Sequence, residues 1–164
     1  MKQDAQLVTK YQAKNINMNK DEYYMSIALM EARKASSLDE VPVGAIIVKN
    51  DTIIASSHNS RVLDHKVSSH AEINAIIEAE KKLNTIILDG STIYTTLEPC
   101  PMCSYAIMEA HIERLVYGAK DEKRGGISVL DIFNKKLGPK IEICGNILEE
   151  ESSNLLKSFF KEKR

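Results

Sequence analysis

The chain has no tryptophan, and its 164 residues include only three cysteines, four prolines and seven glycines. Three cysteines cannot form the dense, even-numbered framework of a small disulfide-stapled secreted domain, and they suit a reducing compartment. No run approaches the 18 or so apolar residues that a membrane-spanning helix needs. Charge of either sign is in no excess. The formal net charge is −1, so no global basic field points to a nucleic-acid partner, and any such contact must rest on local patches. No repeat at a fixed period occurs, and no Pro/Ser/Gly-rich linker divides the chain. Residues 1–20 are polar, without the apolar stretch of a signal peptide or the Arg-rich, acid-free character of a transit peptide. These absences lead to the expectation of a soluble cytoplasmic protein with a flexible extension over residues 1–20 and one domain over residues 21–164. At 43% hydrophobic residues, a domain of that size buries roughly 70% of the surface its unfolded chain exposes.

Periodicity then sets the elements. Tyr24, Ile27, Ala28, Glu31 and Ala35 recur at helical spacing from Asp21 onward, with Asn19 and Asp21 available as caps and an end near Ser36 or Ser37. The apolar run Val43 to Val48, the turn Lys49-Asn50-Asp51 and the run Thr52 to Ser57 predict a β-hairpin. Both runs are too apolar for a sheet buried on one face, which implies helices on both sides: an α/β protein with a three-layer α/β/α sandwich. His58 to Ser69 has no regular period and reads as a loop. A helix over His70 to Lys82, a strand over Thr92 to Thr96, a helix to about Ala110, strands at Arg114 to Gly118 and Ile141 to Cys144, and an amphipathic helix over Leu148 to Phe160 complete the chain. In the helix before Ala110, Met102, Ala106, Ile107 and Met108 spread too widely for one core-facing stripe, leaving core packing and a partner surface both open. Cys144 reads as core.

Two motifs carry chemistry: His70-Ala71-Glu72 and Pro99-Cys100-Pro101-Met102-Cys103. An imidazole and two thiols are ligands of the kind zinc takes. They number three, whereas a closed structural site has four, and an open position binds water and lowers its pKa toward about 7. His70 and Glu72 are two apart and point to different sides of a helix, so Glu72 is a poor second ligand but well placed to move a proton beside the metal. Pro101 sits where a first-turn proline is tolerated, putting Cys100 and Cys103 in the first turn of a helix, whose dipole favours thiolates. The Cys-x-x-Cys pair alone would equally suit a redox dithiol or half of a structural zinc knot, and Glu72 alone a solvated first-turn glutamate. Together, His-x-Glu and Pro-Cys-x-x-Cys form the recognised signature of zinc nucleobase deaminases.

With both motifs in place, the chain resembles the bacterial tRNA-specific adenosine deaminases of the cytidine-deaminase-like superfamily. The likeness extends to Val41-Pro42-Val43-Gly44-Ala45, His58-Asn59, Thr95-Thr96-Leu97-Glu98 ahead of the cysteine motif, and Tyr117-Gly118-Ala119-Lys120-Asp121-Glu122-Lys123, in the family's order from about Asp21 to the terminal helix. The resemblance implies a five-stranded mixed sheet between helices. It also implies a homodimer that converts adenosine to inosine at the wobble position of a tRNA anticodon stem-loop. It makes His70, Cys100 and Cys103 the ligands of one Zn2+ per subunit, Glu72 the proton shuttle, and Asn59 and Asp121 substrate contacts. The plainer readings are a turn cap for Asn59 and a solvated loop charge for Asp121. Two stretches depart from the family pattern. Lys66-Val67-Ser68-Ser69 stands where Asp-Pro-Thr-Ala is usual, and Gly125-Gly126-Ile127-Ser128 replaces the usual small residues.

The chemistry expected from these residues is hydrolytic deamination at C6 of an unpaired adenine, with Glu72 moving protons. Lys120, Lys123, Arg124, Lys157, Lys161, Lys163 and Arg164 are candidate phosphate contacts, solvation being the plainer role of such charges. The nearest rival is a deaminase of a free base or nucleotide, such as guanine deaminase, which would share the four zinc-site residues. A riboflavin-type deaminase spaces its second and third ligands more widely. A non-catalytic zinc-bearing RNA-binding module has no use for Glu72.

Overall fold

The computed structural model describes residues 18–164. Most of the expected extension therefore lies outside the described residues. Helix α1 spans Lys20–Ser37 and opens with a capping box, in which the Asn19 side chain accepts from the Glu22 amide and the Glu22 carboxylate from the Asn19 amide. It leads to a hairpin of β1 (Gly44–Lys49) and β2 (Thr52–His58), whose turn residues Asn50 and Asp51 are both left-handed, as a two-residue turn with the right twist requires. A short helix, α2 (Arg61–Asp64), interrupts the segment expected to be irregular. There Ser60 donates to Asp64, and the buried Glu40 carboxylate accepts from the Leu63 amide. Then follow α3 (Ala71–Leu83), β3 (Ser91–Leu97), α4 (Pro101–Glu109), β4 (Arg114–Ala119), a single 3-10 turn, β5 (Glu142–Cys144) and α5 (Glu149–Glu162).

The five strands form one mixed sheet in the order β2-β1-β3-β4-β5. β1 is antiparallel to β2 and β3, whereas β4 is parallel to β3 and β5. Alternation along the strands divides the interior. Ala45, Ile47, Ile93 and Leu115 pack with Ala71, Ala75, Ala79 and Ile107 of α3 and α4, while Ile46, Val48, Tyr94 and Val116 pack with Tyr24, Met25 and Ala28 of α1. The result is the three-layer α/β/α sandwich with a five-stranded mixed sheet. The two strands of the hairpin differ, however. β1 is buried along almost its whole length, but β2 is an edge strand, and Thr52 is exposed while Ser56, Ser57 and His58 are half-buried.

Two contacts fix α1 on the sheet. A Cβ on Gly44 would stand 2.0 Å from the Ala28 carbonyl oxygen and 2.5 Å from the Ala32 nitrogen, so the helix backbone lies directly on β1. At the far end, Arg114 makes a bidentate pair with Asp21, at 2.7 and 2.8 Å, and Tyr94 donates to the same carboxylate at 2.9 Å. The Arg114 guanidinium holds the Asp21 carboxyl below its ordinary range, against the opposing effect of burial.

β1 runs against its neighbours, and its start pairs Gly44 with His58, while Leu97 pairs with Ala119 at the ends of β3 and β4. One edge of the sheet therefore gathers the approach to β1 and the exits of β2, β3 and β4. Every expected site residue lies in one of these connections or at the start of α3 or α4.

Candidate active site

His70 is the N-cap of α3 and Cys100 the N-cap of α4. Both have extended backbone, and neither side chain caps its own helix, which leaves imidazole and sulfur available to a metal. Pro101 occupies the first turn of α4, as its spacing predicts, and Cys103 follows within the same turn. His70 Nδ1 lies 3.6 Å from Cys100 Sγ and 3.4 Å from Cys103 Sγ, and the three donor atoms lie within 4.8 Å of one another. One nitrogen and two sulfurs converging from two helix N-termini form a donor set that suits a thiophilic divalent metal such as zinc. These three residues could hold a metal ion.

The electrostatics agree with this reading. The Cys103 thiol, and then the His70 imidazole, hydrogen-bond Cys100 and bring its pKa down to about 4 against the effect of burial. The shared proton and burial push the Cys103 thiol up, and the Cys100 sulfur raises His70. Glu72, in the first turn of α3, is only 4% exposed, and burial pushes its carboxyl upward. It is therefore no solvated first-turn glutamate. Burial thus favours the protonated form of this carboxyl, the direction in which a general acid–base group is tuned.

His70, Glu72 and Cys100 line a cavity of about 150 Å³ whose wall includes Val41, Val43 and Leu97 as well as Asn59, Asp121, Arg61 and Arg124. Asn59 is 6% exposed. Its amide nitrogen donates to Glu40 at 3.3 Å and to the Val41 carbonyl at 3.2 Å, while Oδ1 is buried and has no partner among the described residues. Asn59 is thus a fixed part of the wall, not a turn cap. Asp121 is half-buried and faces the same cavity, but its Oδ1 accepts from the Lys123 and Arg124 amides at 3.0 Å. The structure therefore brings all six expected residues to one place.

The chain that carries this site is similar to known proteins. The MafB19-like deaminase family matches residues 18–164. A tRNA-specific adenosine deaminase of Bacillus subtilis is 42% identical over 149 residues, covering 90% of this chain and 92% of that protein. One from Aquifex aeolicus is 46% identical over 145 residues, covering 87% and 95%. The chain belongs to the tRNA-specific adenosine deaminases. A solved structure from work on A-to-I editing by tRNA:A34 deaminases at the wobble position superposes on the deaminase with a TM-score of 0.79 at 40% identity, covering 82% of this chain and 99% of that one. Guanine deaminase from Bacillus subtilis is less similar, with a TM-score of 0.59 at 36% identity over 63% of the deaminase and 66% of that chain.

Two buried acids of the deaminase site, Glu40 and Glu98, carry no signal in periodicity or metal-ligand spacing. Each is 1% exposed. Glu40 orients Asn59, and Glu98 stands two residues before Cys100, where it accepts hydrogen bonds from the segment that carries Asp121.

Proposed function

We propose that this chain hydrolyses the 6-amino group of adenosine at the wobble position of a tRNA anticodon loop, giving inosine and ammonia. The observation that carries the reading is the buried Glu72 carboxyl on the wall of a cavity shared with His70 and Cys100. His70, Cys100 and Cys103 would hold one zinc ion per subunit, which when bound supplies a Lewis acid that makes water nucleophilic near neutral pH. Glu72 takes a proton from the attacking water as its oxygen bonds to C6 and delivers it to N1; it then takes the remaining proton from that oxygen and passes it to the departing amine as the C6–N bond breaks and the C6 carbonyl forms. Adenine plus water thereby becomes hypoxanthine plus ammonia. Val41, Val43 and Leu97 offer apolar surface to the base, while Asn59 and Asp121 contribute polar contacts.

A cavity this small admits one unpaired base, which an anticodon loop presents at little unstacking cost. Beside the site, Lys120 and Lys123 share a broad groove with Lys157, Lys161, Lys163 and Arg164, a charge pattern suited to phosphates of the stem. Of these, Lys163 is already paired with Asp39. On α4, Ile107 and Met108 belong to the core, while Met102 and Tyr105 are exposed and offer a contact for the second subunit of a homodimer. No helix among the described residues is long and apolar enough to cross a membrane. A tRNA substrate supports a cytoplasmic location for the enzyme.

The test is inosine formation in an anticodon stem-loop with adenosine at the wobble position, by wild type and Glu72→Ala, with free adenine, guanine and cytidine in parallel. Inosine from the stem-loop, lost in the variant by about 10³-fold or more, is expected. Turnover of a free base alone would transfer the function to that class. Stem-loop binding that Glu72→Ala leaves intact, with no turnover by either protein, would leave an RNA-binding module.

A further inference from the structure

The segment from Asp121 to Ser128 carries the Asp121 and Arg124 part of the cavity wall, and it is built on one carboxylate. Glu98 Oε2 accepts from the Asp121 amide at 2.9 Å and from the Ser128 hydroxyl at 2.8 Å. Its Oε1 accepts from the Ile127 amide at 3.0 Å and the Ser128 amide at 2.6 Å. Both ends of the segment are therefore fastened to a side chain that is 1% exposed and stands two residues before Cys100. Hydrogen bonds to an ionised acceptor are roughly twice as strong as neutral ones, and burial strengthens them further.

Gly125 and Gly126 belong to the same arrangement. A Cβ on Gly125 would stand 2.3 Å from Glu98 Oε1, and one on Gly126 would stand 2.1 Å from Ser104 Oγ. The Gly126 amide also donates to the Pro99 carbonyl at 2.9 Å. Only residues without a Cβ let the segment close this tightly over Glu98 and the start of α4. Asp121 cannot do the fastening itself, because its Oδ1 is turned back onto the Lys123 and Arg124 amides of its own turn.

We propose that Glu98 is a positioning residue for substrate binding. Its carboxylate holds the Asp121–Arg124 wall at a fixed place relative to Cys100 and Glu72, so that the RNA meets a wall already formed. This rests on the reading that the cavity takes a tRNA adenosine. A preformed wall acts on affinity: if the segment were ordered only one-tenth of the time, the apparent dissociation constant would rise about tenfold while the bound complex reacted as before. Gln at position 98 keeps one acceptor oxygen and sets an NH2 donor against the remaining N–H groups, which frees one end of the segment.

The experiment compares zinc-loaded wild type, Glu98→Gln and Gly125→Ala on the wobble-adenosine stem-loop, with zinc content and amide hydrogen exchange measured on the same samples. Both variants should raise KM about tenfold, change kcat less than about threefold and keep their zinc, while the amides of Asp121, Ile127 and Ser128 exchange at least about tenfold faster. Gly125→Ala retains the Glu98 carboxyl but sets a Cβ 2.3 Å from its Oε1, which forces segment and carboxylate apart, so it decides the matter where Glu98→Gln fails to fold. Unchanged KM with unchanged exchange overturns the proposal, as does a fall in kcat at constant KM or a loss of zinc. Should wild type make no inosine from the stem-loop, the functional reading fails by itself, and the exchange rates still decide the role of Glu98.

Discussion

Replacing Gly44 by Ala tests the seating of α1 on β1, on which one wall of the site depends. The added Cβ would lie 2.0 Å from the Ala28 oxygen, 2.5 Å from the Ala32 nitrogen and 2.8 Å from the Glu31 Cβ. None of these atoms can turn away by changing rotamer, so the helix must withdraw by about 1.5 Å to restore ordinary contact. Met25, Ala28, Leu29 and Ala32 are fully buried on that helix and would all lose contacts. A gap of 0.5–1 Å already forfeits about a quarter to a half of each contact energy, and overpacking of this kind costs about 1–3 kcal/mol. With only backbone and Cβ atoms in the way, the value should be at the upper end, about 3 kcal/mol. At a urea m-value of about 2 kcal/mol/M, the midpoint should fall by about 1.5 M with m unchanged. Gly90→Ala is the control. Gly90 has φ +66° with only the end of the Lys49 side chain nearby, at 3.8 Å, so the loss there is backbone strain of about 1–2 kcal/mol. Gly44→Ala should also weaken activity below its unfolding transition, because the Val43 carbonyl next to it accepts from the Asn59 amide at 3.0 Å. A midpoint shift smaller than that of Gly90→Ala would refute the steric account.

Acid should expose a second dependence. Burial alone would raise Glu31, but hydrogen bonds from His58, Lys34 and Ser56 outweigh it and hold the carboxyl at about 2. A depressed carboxyl stabilises fully above its unfolded pKa of about 4.5, and that contribution is lost as pH falls through 2. Discounted for screening, it amounts to about 1–2 kcal/mol, so urea midpoints between pH 6 and 3 should fall less steeply for Glu31→Gln than for wild type. Equal slopes would mean that the pairing contributes nothing. In the basic groove, Lys157→Ala and Lys161→Ala should each lower the salt dependence of stem-loop binding by about one unit of slope, with kcat nearly unchanged; slopes equal to wild type would remove these lysines from the RNA path. Chelation should abolish deamination and lower the unfolding midpoint, both recovering on addition of zinc. Activity that persisted in metal-free protein would exclude a catalytic metal at His70, Cys100 and Cys103.

The sequence makes the scaffold legible wherever one element decides its own shape. Helical spacing from Asp21, the apolar run of β1 and the proline after Cys100 each depend on neighbours within a few residues, and each element formed within a residue or two of its expected place. The metal-ligand set is legible for a related reason, since residue type and spacing state its chemistry before any fold is known. Contacts that join distant segments are another matter. Charged residues are usually exposed, so a sequence offers no ground for burying Glu40 or Glu98, whose partners lie 19 to 30 residues away. The exposure of β2 is equally silent, because an edge strand with Ile53 and Ile54 has the same composition as an interior one until the sheet order is known. Short α2 depends on the Glu40 carboxylate meeting the Leu63 amide, which periodicity over four residues cannot express. The acids that periodicity leaves in solvent are thus the ones that shape the cavity: Glu40 sets Asn59, Glu98 sets the Asp121 segment, and the buried Glu72 lies on the wall of the same cavity. In this fold a metal-ligand signature locates the candidate site, while the buried carboxylates behind it hold its walls.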